Sequence, residues 1–193
     1  MQNDRVKIQK KEILSDNWYV LNKVTYDYQK KNGEWESQTR EAYDRGNGAT
    51  ILLYNRLKKT VILTRQFRLP TYINGNDNGL LIEACAGLLD KDNPEDCIRK
   101  ETEEETGYRI SKVTKIFESY MSPGSVTEVL YFFVAEYDQE MKVSEGGGLM
   151  EEQENIEVLE LDFEDAYHLI HTGEIKDAKT IILLQYAKIN HLV

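Results

Sequence analysis

The sequence predicts an α/β fold: a sandwich built on a mixed sheet, with a small antiparallel β module at its N-terminus. Two observations predict it. Apolar runs of strand length intermix with segments that have the apolar spacing of amphipathic helices, and a hairpin signal lies near the N-terminus. A chain of 193 residues, 40% of them apolar, can bury one sizeable core. We therefore divide the chain into a β module, residues 1–45, and a main domain, residues 46–193.

The N-terminal module is predicted from two segments rich in Tyr, Val and Thr, residues 17–29 and 35–44. The tetrapeptide Lys30-Lys31-Asn32-Gly33 separates them and contains Asn-Gly, the strongest short hairpin signal. These residues should form a small antiparallel sheet.

The main domain is expected to begin after Gly46-Asn47-Gly48 with two central strands, the apolar runs 49–54 and 60–67. A polar loop, 71–79, then leads into a short strand, 80–87. The remaining predicted elements are a helix from Asn93 to Gly107, strands 112–119, 127–137 and 155–161, and helices 163–172 and 177–189.

The helix that begins at Asn93 is unusually acidic. Asn93 is a favourable N-cap before Pro94, and Gly107 is a typical C-terminal stop. At 100° per residue, Glu101, Glu104 and Glu105 share an arc with apolar side chains, those of Cys97, Ile98 and Tyr108. The solvated face is expected to carry Arg99, Lys100, Glu103 and Thr106.

Two interpretations of these glutamates compete. Acid-rich helices are usually solubilising surfaces. However, three like charges on a partly buried arc repel one another, and a bound divalent cation would remove that penalty. Carboxylates are ligands that Mg²⁺ accepts. Helical geometry alone leaves both interpretations open.

Composition argues against several classes of protein. A net charge of -10 disfavours nucleic acid as a partner, because phosphate backbones require an excess of Lys and Arg. The sequence has no basic segment followed by an apolar leader and no apolar stretch of bilayer length. The two cysteines fit neither a disulfide framework nor a zinc site. We expect a cytoplasmic protein that binds neither nucleic acid nor membrane.

The segment Lys100-Glu101-Thr102-Glu103-Glu104-Glu105-Thr106-Gly107-Tyr108, with Gly87 upstream, resembles the Nudix box, whose second half reads R-E-U-x-E-E-x-G-U with U apolar. Lys100 replaces the usual arginine, and the interval from Gly87 to Glu101 is one residue short, which leaves Asp92 or Asn93 at the first glutamate. The shortened box resembles the GDP-mannose pyrophosphatase subgroup of the Nudix superfamily. Further resemblances to it are residues 13–17, 43–50, 65–68, 85–90, 120–124 and 172–175.

The resemblance implies a Nudix-type α/β/α sandwich and a magnesium site, with Mn²⁺ as the alternative metal. The implied ligands are Glu101, Glu105 and the backbone carbonyl of Ala86, with further carboxylates from Glu104 and from Glu154 on the glycine-rich loop 144–154. Because that loop is about two residues longer than in the family, Glu151 and Glu152 are alternatives to Glu154.

The implied reaction is the hydrolysis of GDP-mannose, or another nucleoside diphosphate sugar, to a nucleoside monophosphate and a sugar 1-phosphate. Divalent cations neutralise the pyrophosphate and acidify a bound water, whose proton a carboxylate can then take. The candidate bases are Glu128 and Glu154, and Glu105 belongs to the same catalytic group.

The resemblance also implies substrate contacts and a homodimer through the N-terminal module, in which Trp18, Thr39, Arg40 and Glu41 face the partner's pocket. By their residue types alone, Trp18 could instead pack in its sheet and Arg40 could form a surface ion pair. The other implied substrate contacts are Arg68, Ala86, Gly87, Glu105, Glu128, Gln153 and Lys179; for Arg68 the alternative is a surface ion pair and for Lys179 simple solvation.

Three other functions compete with this one. An ADP-ribose pyrophosphatase is the nearest, since Ser122-Pro123-Gly124 also resembles that subgroup. A catalytically silent nucleotide-binding Nudix domain would be expected to lack the metal carboxylates, and Glu101, Glu104 and Glu105 are all present. An acidic interaction domain does not explain why these glutamates share an arc with apolar residues.

Overall fold

The computed structural model describes residues 3–89 and 91–193, and for Glu152 the backbone alone. Asp90, the last residue of the segment Cys85-Ala86-Gly87-Leu88-Leu89-Asp90, therefore lies outside the described residues. The chain forms two compact units, one of residues 1–47 with 120–129, the other of residues 48–119 with 130–193.

The first unit contains a three-stranded antiparallel sheet of β1 (Val6–Asp16), β2 (Val20–Gln29) and β3 (Trp35–Asp44), in that order. The predicted hairpin of β2 and β3 is confirmed, with Val20 opposite Asp44 and Gln29 opposite Trp35. Strand β1 was not predicted, since its lysines and glutamates give it little apolar alternation. The segment 120–129 joins this unit through backbone hydrogen bonds between Tyr43 and both Ser125 and Thr127.

Within its described residues, the second unit has a seven-stranded mixed sheet and four α-helices. Its elements are β4 (Gly48–Asn55), β5 (Thr60–Phe67), α1 (Leu69–Ile73), β6 (Leu80–Glu83), β7 (Ala86–Leu88), α2 (Pro94–Thr106), β8 (Thr114–Tyr120), β9 (Val129–Glu136), β10 (Glu157–Asp162), α3 (Phe163–Thr172) and α4 (Ala178–Ile189). The sheet order is β10-β5-β4-β9-β8, with β6 beside β5 and β7 beside β4. The predicted sandwich is confirmed.

Strand β4 is the centre of the core, because every one of its eight residues is buried. Its alternate residues Ala49, Ile51 and Leu53 cluster with Cys97 and Ile98 of α2. The other set therefore points to the opposite face of the sheet. Helix α4 also packs on β4, and α3 packs on α4 and β5.

Two expectations about the segment 69–88 were wrong. The loop expected at 71–79 is in part the C-terminal half of α1, which Pro70 begins at the first helical turn. The single strand expected at 80–87 is two, because β6 pairs with β5 whereas β7 pairs with β4. Between them the Ala84 N–H leaves the ladder and donates to Thr180 Oγ1 at 2.6 Å.

The helices of the described part of the chain are all too short or too polar to cross a membrane.

Candidate active site

Helix α2 begins and ends where the sequence predicts. The Asn93 side chain accepts hydrogen bonds from the N–H groups of Glu95 and Asp96, both at 3.1 Å. At the other end Gly107 has a φ of 80°, the left-handed conformation that glycine adopts without strain. These caps fix which residues of α2 lie over β4 and β7.

The inward face of α2 differs in part from the expected arc. Glu105 is buried at 2% exposure, while Glu101 and Glu104 are half-buried. Thr106, expected on the solvated face, is only 1% exposed. The expectation for Thr106 was wrong because its hydroxyl donates to the Thr102 carbonyl one turn earlier, which satisfies the group within the helix.

Glu105 is the most unusual ionisable group of the site. Burial raises the pKa of its carboxyl to about 8; the Cys85 thiol opposes this by hydrogen bonding to it, and the charges of Glu101 and Glu154 raise the pKa further. One carboxylate oxygen also accepts the Ala86 N–H at 3.3 Å. A buried carboxylate with two acidic neighbours is costly to ionise without a cation.

Gly87 lies against Glu101. A Cβ at Gly87 would overlap the Glu101 carboxyl group, so only glycine leaves room for that side chain. The Ala86-Gly87 pair lies in β7, antiparallel to β4, which holds it beside α2. The fold therefore brings Ala86, Gly87, Glu101 and Glu105 together.

The glycine-rich loop is hydrogen-bonded to the C-terminal end of α2. The N–H groups of Gly147 and Gly148 donate to the carbonyls of Glu105 and Glu104, at 2.9 and 3.1 Å. This places Glu154 close enough for its charge to act on Glu105. The Glu154 carboxylate accepts the Leu149 N–H at 3.0 Å.

The neighbouring candidates on this loop differ from Glu154. Glu151 and Gln153 are exposed, and Gln153 adopts a φ of 59° after a short 3-10 turn. The Glu152 side chain lies outside the described residues. Among the described side chains of this run, Glu154 is the acid whose charge raises the pKa of Glu105.

Two cations, Arg68 and Lys179, are linked by an acid that sequence reasoning missed. Glu83, 3% exposed, accepts from Arg68 Nε and from Lys179 Nζ, both at 2.7 Å. Lys179 also pairs with Asp177 at 3.1 Å, and its side chain is 12% exposed, so it is not simply solvated. The signal for Glu83 was available: it ends the apolar run 80–82, and a buried acid needs a partner.

The candidate residues of the first unit lie mostly at its surface. Trp18 is 80% exposed and so does not pack in its sheet; Thr39, Arg40 and Glu41 are exposed as well. The Arg40 guanidinium donates to the Thr39 carbonyl at 2.8 Å. Glu128 lies 3.6 Å from Arg45 Nε, and its side chain is 12% exposed. Their roles stay predictions.

The residues of the second unit fit a hard divalent cation. Glu101, Glu105 and Glu154 supply carboxylate oxygens. Burial first, and then the charges of Glu101 and Glu154, raise the pKa of Glu105, and a cation would relieve both costs. In the portion of the chain described, no group of three or more His, Cys, Asp or Glu side chains is already arranged to hold a metal. The metal ligands therefore stay predictions that rest on donor chemistry and charge.

Comparison with protein families gives two adjoining matches. Residues 5–43 match the GDP-mannose pyrophosphatase NudK N-terminal domain, and residues 44–184 match the NUDIX domain. The second match contains the α2 glutamates, Gly87 and Glu154.

Curated relatives match nearly the whole chain. A protein of Shigella dysenteriae serotype 1 and one of Escherichia coli O157:H7, both called GDP-mannose pyrophosphatase, are 57% identical over 98% of this chain and 98% of their own length. A protein of Pectobacterium atrosepticum with the same name is 59% identical over 94% of this chain and 93% of its own. The resemblance seen in the sequence is confirmed: this chain belongs to the Nudix family, in the group that carries the GDP-mannose pyrophosphatase N-terminal domain.

Proposed function

We propose that this protein hydrolyses the pyrophosphate bond of a nucleoside diphosphate sugar in the presence of Mg²⁺. The substrate is GDP-mannose, and the products are GMP and mannose 1-phosphate. The choice of sugar nucleotide rests on the relatives, which carry the name GDP-mannose pyrophosphatase over nearly their full length.

The observation that carries the proposal is the buried carboxyl of Glu105 with Glu101 and Glu154 as charged neighbours. A surface helix evolved for solubility would point its acids to water. Here the Glu105 carboxyl group is buried, and burial is the main reason why its pKa is raised to about 8. Such an acid is consistent with a site completed by a divalent cation and a phosphorylated substrate.

Glu101, Glu105, Glu154 and the Ala86 carbonyl would hold the magnesium, and Glu104 contributes a further carboxylate. Bound divalent cations neutralise phosphate charge and lower the pKa of a coordinated water. Glu104 also lies 3.4 Å from Lys100, which balances part of its charge. The Glu101 carboxylate packs closely against Gly87, and this contact restricts where it can lie.

Arg68 and Lys179 hold the phosphates of the substrate, and Gln153 is a further substrate contact. Trp18, Thr39, Arg40 and Glu41 face the substrate pocket of the other subunit. Two carboxylates are proposed to take the proton of the attacking water, Glu128 and Glu154. Glu154 belongs to the acidic group around Glu105, while Glu128 follows the Ser122-Pro123-Gly124 loop and lies directly before β9. Loops of this kind frequently carry catalytic residues.

The substrate assignment is tested with a panel of GDP-mannose, GDP-glucose, ADP-ribose, ADP-glucose and diadenosine polyphosphates. With Mg²⁺ present, phosphate release after phosphatase coupling is expected to be fastest for GDP-mannose. Chelation with EDTA should abolish turnover, and Mg²⁺ should restore it. A clear preference for ADP-ribose would replace our substrate with the second candidate, which the Ser122-Pro123-Gly124 segment favours.

We also propose a homodimer that forms through the first unit and completes the substrate pocket. Exposed apolar side chains of this unit support the proposal, since Ile8 and Ile13 of β1 are each 63% exposed and Trp18, in the turn between β1 and β2, is 80% exposed. Size-exclusion chromatography with light scattering is expected to give twice the 22.4 kDa chain mass. A monomer at assay concentrations would rule out the pocket contribution of the partner.

A further inference from the structure

We propose that Glu83 is a positioning residue for the hydrolysis: it holds Arg68 and Lys179 together and aims both cations at the phosphates of the substrate. The inference rests on the proposed function for the identity of the substrate. The geometry that carries it lies within the second unit.

Glu83 reaches both cations from the end of β6. Its two carboxylate oxygens are each used once, Oε2 by Arg68 Nε and Oε1 by Lys179 Nζ, both at 2.7 Å. The Glu83 side chain is 5% exposed, so these charge-assisted hydrogen bonds are shielded from water. A carboxylate buried to this extent fixes the positions of the groups that neutralise it, here Arg68 and Lys179.

The Nη1 and Nη2 atoms of Arg68 are available to a substrate phosphate. Glu83 occupies Nε, and among the described residues neither Nη1 nor Nη2 of Arg68 has a hydrogen-bond partner. The Arg68 side chain is 41% exposed, so this end of the guanidinium reaches solvent. Two parallel N–H donors at the end of an arginine are suited to a phosphate group.

Lys179 is held from two sides. It lies in the first turn of α4, where Asp177 is the N-cap and accepts from the Thr180 N–H at 3.0 Å. Burial alone would lower the pKa of Lys179, but the charges of Glu83 and Asp177 outweigh burial and raise it. The lysine therefore stays protonated where a phosphate would need it.

Glu83, Arg68 and Lys179 are connected to the acidic residues around Glu105. The charge of Arg68 lowers the pKa of Glu105. Ala84, the residue after Glu83, donates its N–H to Thr180 Oγ1 at 2.6 Å. From there the chain continues through Cys85 to Ala86, whose N–H donates to Glu105. Without Glu83, Arg68 and Lys179 would repel each other, Arg68 would lose the hydrogen bond at its Nε, and Lys179 would be left with Asp177.

Steady-state kinetics on Glu83→Gln test the proposal. We expect kcat/KM for GDP-mannose to fall roughly 10- to 100-fold, mostly through a higher KM, because the neutral amide cannot hold two cations. Introduced into a Arg68→Gln, Lys179→Met background, the same change should lower kcat/KM less than about twofold. An equal loss in both backgrounds would mean that Glu83 acts through general stability, and would overturn the proposal.

The control is Glu160→Gln, which also removes a carboxylate with several partners, including Lys58 Nζ at 3.1 Å. It is expected to leave kcat/KM within about twofold of the wild type. If Glu83→Gln does not fold, Glu83→Asp takes its place, since it keeps the charge but is too short to reach both cations. A normal KM for a folded Glu83→Asp would contradict the proposal.

A binding measurement separates this inference from the proposed function. Calorimetry with inorganic pyrophosphate and Mg²⁺ should show that Glu83→Gln binds roughly 10-fold more weakly than the wild type. If the wild type cleaves no sugar nucleotide yet binds pyrophosphate in this Glu83-dependent way, the proposed function fails and the positioning role stands. If the wild type cleaves GDP-mannose and Glu83→Gln matches it in both assays, the positioning role alone fails. Wild-type protein that neither binds pyrophosphate nor turns over would overturn both.

Discussion

Glu105→Gln is expected to lower kcat for GDP-mannose by about 100-fold or more, because the loss of a carboxylate ligand removes several kcal/mol of electrostatic stabilisation. The same change should stabilise the metal-free protein at alkaline pH. The wild-type side chain is buried at 2% exposure and lies beside two other acids, whereas glutamine is neutral at every pH. Loss of activity and gain of stability in one variant is typical of a functional, strained group.

The pH dependence of stability follows from the pKa of Glu105. Burial raises it from 4.5 in the reference state to about 8 in the fold, so between these values the folded chain binds a proton that the unfolded chain releases. Stability contributed by this group is therefore present at low pH and lost as the pH rises towards 8. In EDTA at pH 8, Glu105→Gln should melt about 3 to 8 °C above the wild type, and near pH 5 the two should converge.

Glu103→Gln is the matched control, since Glu103 lies on the same helix and pairs with Arg109 at 2.7 Å on the outer face. Its activity should stay within about twofold of the wild type. Differential scanning fluorimetry with and without EDTA, together with the GDP-mannose assay, measures all three proteins. Full activity of Glu105→Gln would contradict the assignment of Glu105 as a metal ligand. An unchanged melting temperature at pH 8 would contradict the destabilising effect expected of the buried Glu105 carboxylate.

Gly87→Ala is expected to lower kcat/KM for GDP-mannose by roughly 30-fold or more while the fold persists. The new methyl group would overlap the Glu101 carboxyl group, and the nearest atoms are all in that side chain. The Glu101 side chain must turn away to make room, and its carboxylate would then leave the position proposed for metal binding. Titration with Mg²⁺ should show a higher concentration for half-maximal activity.

Gly124→Ala supplies the comparison, because a Cβ at that glycine meets no atom within 4 Å. We expect its activity to stay within about twofold of the wild type and its melting temperature within a few degrees. A fully active Gly87→Ala with normal Mg²⁺ dependence would show that the position of Glu101 does not matter for turnover. Unfolding of Gly87→Ala would instead show that the overlap is relieved by the backbone.

Much of the fold was predictable because its signals are local. The bounds of α2 follow from Asn93, Pro94 and Gly107, each of which acts within one turn of the helix. The β2–β3 hairpin follows from Asn32-Gly33 between two alternating segments. Strand β1 lacked such a pattern: most of its residues are exposed, so its place in the sheet depends on pairing with β2.

The acids of the site were also predictable, but their individual roles were not. Periodicity places Glu101, Glu104 and Glu105 on one arc, and the resemblance to the Nudix box supplies the reason. Which of them is buried depends on what packs above the helix, and here the β7 strand and the glycine loop cover Glu105 most completely. Thr106 is a further case, because periodicity places it on the solvated face and the structure buries it.

The class of fold, the acidic helix and the family could therefore be predicted without a structure, since capping, periodicity and motif spacing are properties of neighbouring residues. The partners of Glu83 depend on the tertiary structure, because Arg68 and Lys179 lie 15 and 96 residues away from it along the chain. Contacts of that kind are produced by strand pairing and helix packing, which bring together side chains that no local pattern connects. For the same reason the pKa of Glu105 depends on β7, the loop and Arg68 as much as on its own helix.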